Sequence, residues 1–127
     1  MTKRIIKTSN APQPVGPYSQ ANQHGNLVFV AGQVALDPKT GKLFSGGIEE
    51  QTTRVLDNIK AILSEAGTSL DNVLKVSVFL RDVKDFGRMN EIYKKYFPAN
   101  QPARTTVGAQ FPMDGILVEI DAIASGP

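Results

Sequence analysis

The stretch PARTTVG, residues 102–108, has the pattern of a short strand with an arginine, Arg104, near its start. A second run, ILVEIDAIA at residues 116–124, is apolar except for two acids and carries Glu119 between a valine and an isoleucine. Alternation along a strand places Arg104 on one face with Thr106 and Gly108. We predict two C-terminal strands, over about residues 104–110 and 115–124, each carrying a charge that needs a partner or a ligand.

Two helices are predicted upstream. From Ile48 to Ala66 apolar residues recur at three- and four-residue steps, and Gly67 supplies the C-terminal stop. The second helix covers about residues 83–97, with Asp82 as its N-cap. The residues that this helix is expected to bury are Phe86, Met89, Tyr93 and Phe97.

Four further strands are predicted. Residues 3–8 form a short edge strand, and the turn at residues 24–26 joins Tyr18–Asn22 and Leu27–Ala31 into a hairpin. The run Leu27–Ala31 is continuously apolar, which favours a strand buried on both faces. Val73–Leu80, rich in β-branched residues, is the fourth.

This order predicts an α+β fold with a mixed sheet and two helices. Two helices can cover one face of such a sheet, yet the apolar strands would present apolar residues on both faces. Another subunit is the economical way to bury the second face. The sequence therefore predicts a homo-oligomer.

Composition narrows the functional class. The 127 residues predict one domain, residues 1–127, and the absence of cysteine excludes disulfides and thiol nucleophiles. A single histidine, His24, lies in a turn and leaves no histidine cluster for a metal. The net charge of +2 is mild and no basic cluster is interleaved with aromatics, which argues against nucleic-acid binding.

No apolar run approaches the ~18 residues of a membrane span. The N-terminal residues are basic, but the prolines that follow them oppose the amphipathic helix of a presequence. The sequence predicts a cytoplasmic protein, and a mitochondrial or other organellar matrix remains an open alternative.

Arg104 and Glu119 admit two interpretations. The first is a structural ion pair. In the second, Arg104 anchors an anionic substrate through its planar fork of donors, and Glu119 positions a water. Burial would raise the pKa of the carboxyl and a neighbouring arginine would lower it.

Four other residues have a structural and a functional interpretation. Asn90 lies beside the apolar stripe of the second helix, where its amide would either bond a neighbouring loop or face a site. Tyr18 is either ordinary core or part of a cleft. Gly32 either ends a strand or lets backbone N–H approach a ligand. His24 fits a solvated loop residue better than a catalyst.

Taken together, five segments closely resemble the Rid/YjgF family, and specifically its RidA subgroup. They are GPYSQ at 16–20, AGQ at 31–33, NEIY at 90–93, PAR at 102–104 and VEI at 118–120. The resemblance covers essentially the whole chain. It implies a chorismate-mutase-like fold with two helices on one face of the sheet, three subunits packed by their uncovered faces into a homotrimer, and a cleft between each pair of subunits.

The resemblance also implies hydrolysis of 2-imino and 2-enamino acids, such as 2-aminoacrylate and 2-aminocrotonate, to 2-keto acids and ammonia, without metal or cofactor. Arg104 would hold the substrate carboxylate and Glu119 would orient or activate the water. Tyr18 and Asn90 would line the cleft from the partner subunit, and Ala31 and Gly32 would offer backbone contacts.

One position departs from the family. Many RidA members have Ser-Cys after the motif arginine, where this chain has Thr105 and Thr106. Thr106 would still offer its hydroxyl or carbonyl to the water, so we expect activity to survive, with an altered substrate preference. A non-catalytic ligand-binding or regulatory protein is the main alternative, and an endoribonuclease is the third candidate.

Overall fold

The computed structural model describes residues 2–127 as a six-stranded sheet covered on one face by two helices. In chain order the elements are β1 (Arg4–Ile6), β2 (Ala21–His24), β3 (Leu27–Gln33), α1 (Ile48–Glu65), β4 (Val73–Leu80), α2 (Phe86–Tyr96), β5 (Ala103–Gly108) and β6 (Val118–Ser125). The predicted order of strands and helices and the α+β class are confirmed.

The strands lie in the order β1-β2-β3-β6-β4-β5. All neighbours are antiparallel except β4 and β5, which α2 connects as a parallel pair. A parallel pair needs such a crossover, since its strands cannot be joined by a tight hairpin. The sheet is therefore mixed, as predicted, with β4 between the two charged C-terminal strands.

Helix α1 occupies almost the predicted range, and its inner stripe, including Leu56, Ile59 and Leu63, is fully buried against the sheet. Gly67 follows at φ +83°, in the left-handed region that a glycine enters without penalty. The second helix starts later than predicted. Asp82 caps a short 3₁₀ turn by accepting the N–H of Lys84 (2.9 Å), and α2 begins only at Phe86.

The two faces of the sheet differ. Facing the helices, Val28 and Val30 of β3 and their neighbours on β4 and β6 are buried. On the open face, Leu27 is 37% exposed and Phe29 is 40% exposed. The expectation that residues 27–31 are buried on both faces is therefore wrong within one chain. The helices reach only one face, and alternation turns every second residue toward the other.

The first hairpin is shifted relative to the prediction, because β2 begins at Ala21 and Tyr18 lies in the preceding loop. Gln20 explains the shift. Its buried amide accepts the N–H of Thr8 (2.8 Å) and donates to the carbonyls of Thr8 (3.0 Å) and Pro12 (2.8 Å). These bonds hold residues 8–20 as a folded loop that delivers Tyr18 to the surface.

Candidate active site

Arg104 lies on the helix-covered side of the sheet. It pairs with the buried Val76 of β4, and residues directly opposite on paired strands share a face. Its Nη1 donates to Oδ1 of Asn90 (2.8 Å), and its guanidinium carbon lies 4.7 Å from the ring centroid of Tyr93 and 5.5 Å from that of Phe86. All three neighbours belong to α2 and all three are uncharged.

No carboxylate pairs with Arg104 among residues 2–127. The ion pairs in this range join Arg88 to Glu49 and Asp85, and Lys94 to Glu91. A guanidinium that is partly buried keeps its proton and gains from a bidentate anion. The arrangement can therefore bind a carboxylate or phosphate from outside the chain.

Glu119 lies on the open face of the sheet. Its neighbours in β6, Val118 and Ile120, are fully buried on the opposite face. The carboxyl is half-buried, and this burial raises its pKa above the usual value of 4.5, with Asp121 on the same face contributing further. A carboxylate with a raised pKa is suited to accept a proton near neutral pH.

Gly32 lies directly beneath the Glu119 side chain. A Cβ built on this glycine would come within 2.5 Å of Oε2 and 2.9 Å of Cδ. The pairing of β3 with β6 is irregular between Val30 and Gln33, so this approach occurs at a bulge. The missing side chain at Gly32 makes room for the carboxyl.

We expect Gly32→Ala to displace the Glu119 carboxyl toward water and so to lower its pKa toward 4.5. The clash meets the far end of a flexible side chain, so the temperature of unfolding should change little. Carbon-13 NMR titration of the carboxyl carbon measures the pKa. Gly87→Ala is the control, because a Cβ there meets nothing within 4 Å. An unchanged Glu119 pKa in Gly32→Ala would contradict the packing described.

Within one chain, Arg104 and Glu119 do not meet. They occupy opposite faces, and β4 separates their strands, so the strands are roughly 10 Å apart. The register adds an offset of three residues, since Arg104 aligns with Val76 and Glu119 with Phe79. The structural ion pair considered from the sequence is therefore wrong.

Asn90 lies with Arg104, which corrects two expectations. Its side-chain oxygen accepts a hydrogen bond from the guanidinium of Arg104 in the same chain. It therefore does not bond a neighbouring loop, and it does not reach Arg104 from a partner subunit. Helical spacing places Asn90 and Tyr93 one turn apart on the face of α2 that contacts β5.

Tyr18 lies on the side of Glu119 and Gly32. It is 48% exposed, so the interpretation as ordinary core is wrong, and its hydroxyl accepts only the backbone N–H of Val15 (3.3 Å). With Ala31 it lines a surface cavity of about 460 Å³, and with Gly32 a smaller recess. The predicted residues thus form two groups on opposite faces.

Thr106 shares the face of Arg104, as predicted, one pleat further along β5. Its hydroxyl oxygen is buried and makes no hydrogen bond within residues 2–127. A buried hydroxyl without a partner is costly. Here it marks a place where a ligand atom or a water can bind.

The sequence interpretation missed the roles of Tyr93 and Phe86. Both were assigned to the core, but Phe86 is 44% exposed and covers Arg104 from the start of α2. The signal was present in the spacing, because Phe86, Asn90 and Tyr93 follow one helical stripe. The sequence did not show that β5 places Arg104 against this stripe of α2.

No helix within residues 2–127 combines the length and the apolar character that crossing a membrane requires. The same residues contain no group of three or more histidine, aspartate or glutamate side chains placed to hold a metal ion.

Comparison with known proteins identifies the family of this chain. The model of the family described as Endoribonuclease L-PSP matches residues 8–125. The chain belongs to the Rid/YjgF family. Among its Rid relatives, a RutC family protein of Pyrococcus abyssi is 54% identical over 98% of each chain. The 2-iminobutanoate/2-iminopropanoate deaminase of Mus musculus is 44% identical, over 98% of this chain and 93% of its own.

Solved structures share the fold. E. coli TdcF with bound serine superposes with a TM-score of 0.91 and 38% identity, covering 98% of this chain and 99% of its own. YyfA of the conserved Rid protein family from Yersinia pestis superposes with a TM-score of 0.93 and 41% identity, covering 98% of this chain and 99% of its own, so the mixed sheet with two helices is the fold of the Rid family.

Proposed function

We propose that this Rid protein is a hydrolytic deaminase that converts reactive 2-imino and 2-enamino acids to 2-keto acids and ammonia. The observation that carries the proposal is the state of Arg104. It is held by an amide and two aromatic rings and has no carboxylate partner within residues 2–127, so its charge is free for the carboxylate of an amino-acid-derived substrate. The deaminase relatives support the same reaction class.

The proposed site is composite. Arg104 and Glu119 lie too far apart, on opposite faces, to act on one small molecule within a chain. We propose that the group around Arg104, with Asn90 and Thr106, meets the group of Tyr18, Ala31, Gly32 and Glu119 from a second copy. The exposed apolar residues of the open face support association, and the homotrimer implied by the family resemblance is the assembly we propose.

In the proposed reaction, water adds to the imine carbon. Glu119 takes one proton from the water and returns it to the nitrogen, so that a new C–O bond forms and the C=N π electrons become an N–H bond. A 2-enamino acid first becomes its imino tautomer, with one proton moving from the nitrogen to C3. The carbinolamine then expels ammonia, as the O–H electrons form the carbonyl and its proton leaves with the nitrogen through Glu119. An imino acid and a water give a 2-keto acid and ammonia.

The other residues have supporting roles in this proposal. Thr106 offers its unpartnered hydroxyl to the water or the nitrogen, and Tyr18 closes the cleft. Ala31 and Gly32 provide backbone contacts beside Glu119. Because the imine carbon is already electrophilic, positioning supplies much of the acceleration and the steps written here need no cofactor.

The test is ammonia release from 2-aminoacrylate generated in situ by a serine dehydratase. The purified protein should accelerate release well above the spontaneous rate, and sedimentation at micromolar concentration should show an oligomer. A rate equal to the spontaneous one would reject the deaminase, and a monomer would reject the composite site.

A ligand-binding function is the second candidate, favoured by the structure of the relative TdcF with bound serine. Titration with 2-ketobutyrate beside the turnover assay separates the two. Saturable binding without turnover would support the binding protein. Cleavage of RNA has less support, since the only histidine, His24, is exposed at the end of β2 and cannot form an acid–base pair with another histidine.

A further inference from the structure

We propose that Tyr93 is the positioning residue for Arg104. Together with Phe86 and Asn90 it forms a neutral cradle, three uncharged α2 side chains that fix the guanidinium without compensating its charge. The inference rests on the proposed function only in naming the bound anion as the substrate carboxylate.

Tyr93 is suited to this role because it is rigid. The residue is 5% exposed, and its ring packs on Phe97 with centroids 4.7 Å apart and planes tilted by 37°. The guanidinium carbon of Arg104 lies 4.7 Å from the same ring, well within the range of a cation–π contact. The buried tyrosine ring therefore restricts the motion of Arg104, whose own strand lies at the edge of the sheet.

The side chains of the cradle contact the guanidinium from different directions. Asn90 accepts one N–H in the plane of the guanidinium, whereas an aromatic ring attracts the cation through its face. Asn90 and Tyr93 are three residues apart and Phe86 is four residues before Asn90, so one helical stripe supplies all three contacts. The remaining N–H groups of Arg104 make no ion pair within residues 2–127 and can face a ligand.

Neutrality is the functional point. A carboxylate in the cradle would neutralise the charge of the guanidinium and repel an anionic ligand. Burial raises the pKa of the Tyr93 hydroxyl, an effect that Arg104 only partly offsets, so this ring stays uncharged at neutral pH. The Tyr93 hydroxyl is buried and makes no hydrogen bond of good geometry within the described residues, although Arg104 lies close enough to lower its pKa, so the ring face is the main contact.

The first test compares Tyr93→Leu with Tyr93→Phe. The leucine variant should raise KM, and the dissociation constant for 2-ketobutyrate, by roughly tenfold, with kcat changed less than threefold. The phenylalanine variant keeps the ring and should rescue both values. Tyr96→Leu is the matched control on the same helix, since Tyr96 packs toward α1 and donates to Asp57 (2.8 Å). Wild-type KM and affinity in Tyr93→Leu, or an equal rise in Tyr96→Leu, would overturn the proposal.

The second test does not depend on removing a core ring. Asn90→Asp keeps the shape and the acceptor but places a negative charge against Arg104. It should weaken 2-ketobutyrate binding by at least roughly tenfold, because like charges then compete for one guanidinium. Wild-type affinity in Asn90→Asp would contradict the claim that the cradle must be neutral.

The two proposals fail separately. If the wild-type protein binds 2-ketobutyrate without turnover and Tyr93→Leu weakens that binding, the deaminase falls and the positioning role stands. If the protein turns over normally and Tyr93→Leu resembles the wild type, the positioning role falls alone. If the protein neither turns over nor binds the keto acid, both fall.

Discussion

Arg104→Ala is expected to lower kcat/KM for 2-aminoacrylate by roughly 30- to 5,000-fold while leaving the protein folded. The range corresponds to the ~2–5 kcal/mol lost when one member of a desolvated, hydrogen-bonded charge pair is truncated. The fold should tolerate the change, because Arg104 lies on an edge strand and the residue forms no ion pair within residues 2–127. Steady-state kinetics and thermal unfolding measure the two effects.

The matched control is Arg88→Ala. Arg88 is an arginine on the neighbouring helix α2, but its side chain is 65% exposed and its partners are Asp85 and Glu49. Exposed pairs contribute only ~0–1 kcal/mol, so kcat/KM should stay at the wild-type value. A wild-type rate in Arg104→Ala would refute the anchoring role, whatever the control shows.

Glu119→Gln is expected to lower kcat by roughly 100- to 10,000-fold, the usual contribution of a positioned general base. The amide keeps the size of the side chain above Gly32 but cannot accept a proton from water. KM should change little, because the carboxylate anchor is untouched. Glu49→Gln, which alters an exposed carboxylate of α1, should leave kcat unchanged.

The same variant should be more stable than the wild type at neutral pH. A carboxyl whose pKa is raised by folding contributes stability that is fully present below its unfolded pKa, near 4.5, and is lost as the pH rises through the folded value. Above its folded pKa the ionised, half-buried Glu119 therefore costs stability, and the amide removes this cost. The advantage should vanish below about pH 4.

Urea unfolding at pH 7 and at pH 3.5, at one protein concentration, measures this difference. The concentration is held constant because association stabilises the folded chain. Lower stability of Glu119→Gln at pH 7 would contradict the burial described, and an undiminished kcat would reject Glu119 as the base.

Local pattern was sufficient for much of the fold. Apolar spacing located α1 to within one residue of its observed end, and the β-branched run Val73–Leu80 matches β4 as observed. Alternation correctly grouped Arg104 with Thr106, because strand geometry turns every second side chain to the same side.

Loops and helix ends were predicted less well. Tyr18 was expected in a strand, but the hydrogen bonds of Gln20 to residues 8–12 hold it in a loop. Phe86 was expected in the core, but it lies at the exposed start of α2. Both depend on partners distant in the sequence, which local pattern does not contain.

By itself, the sequence determined which residues are candidates for the chemistry and which of them share a face within each strand. Only the tertiary structure decided how those faces relate. Strand β4 lies between β5 and β6, and the register turns Arg104 toward α2 and Glu119 toward the open face. The physical reason is that periodicity shows which side chains of a strand share a face. It does not show which of the two faces is covered by the helices, because that is set by tertiary packing. Because of that packing, Arg104 and Glu119 do not form an ion pair. Arg104 lies in the neutral cradle of α2, and the Glu119 carboxyl lies above Gly32.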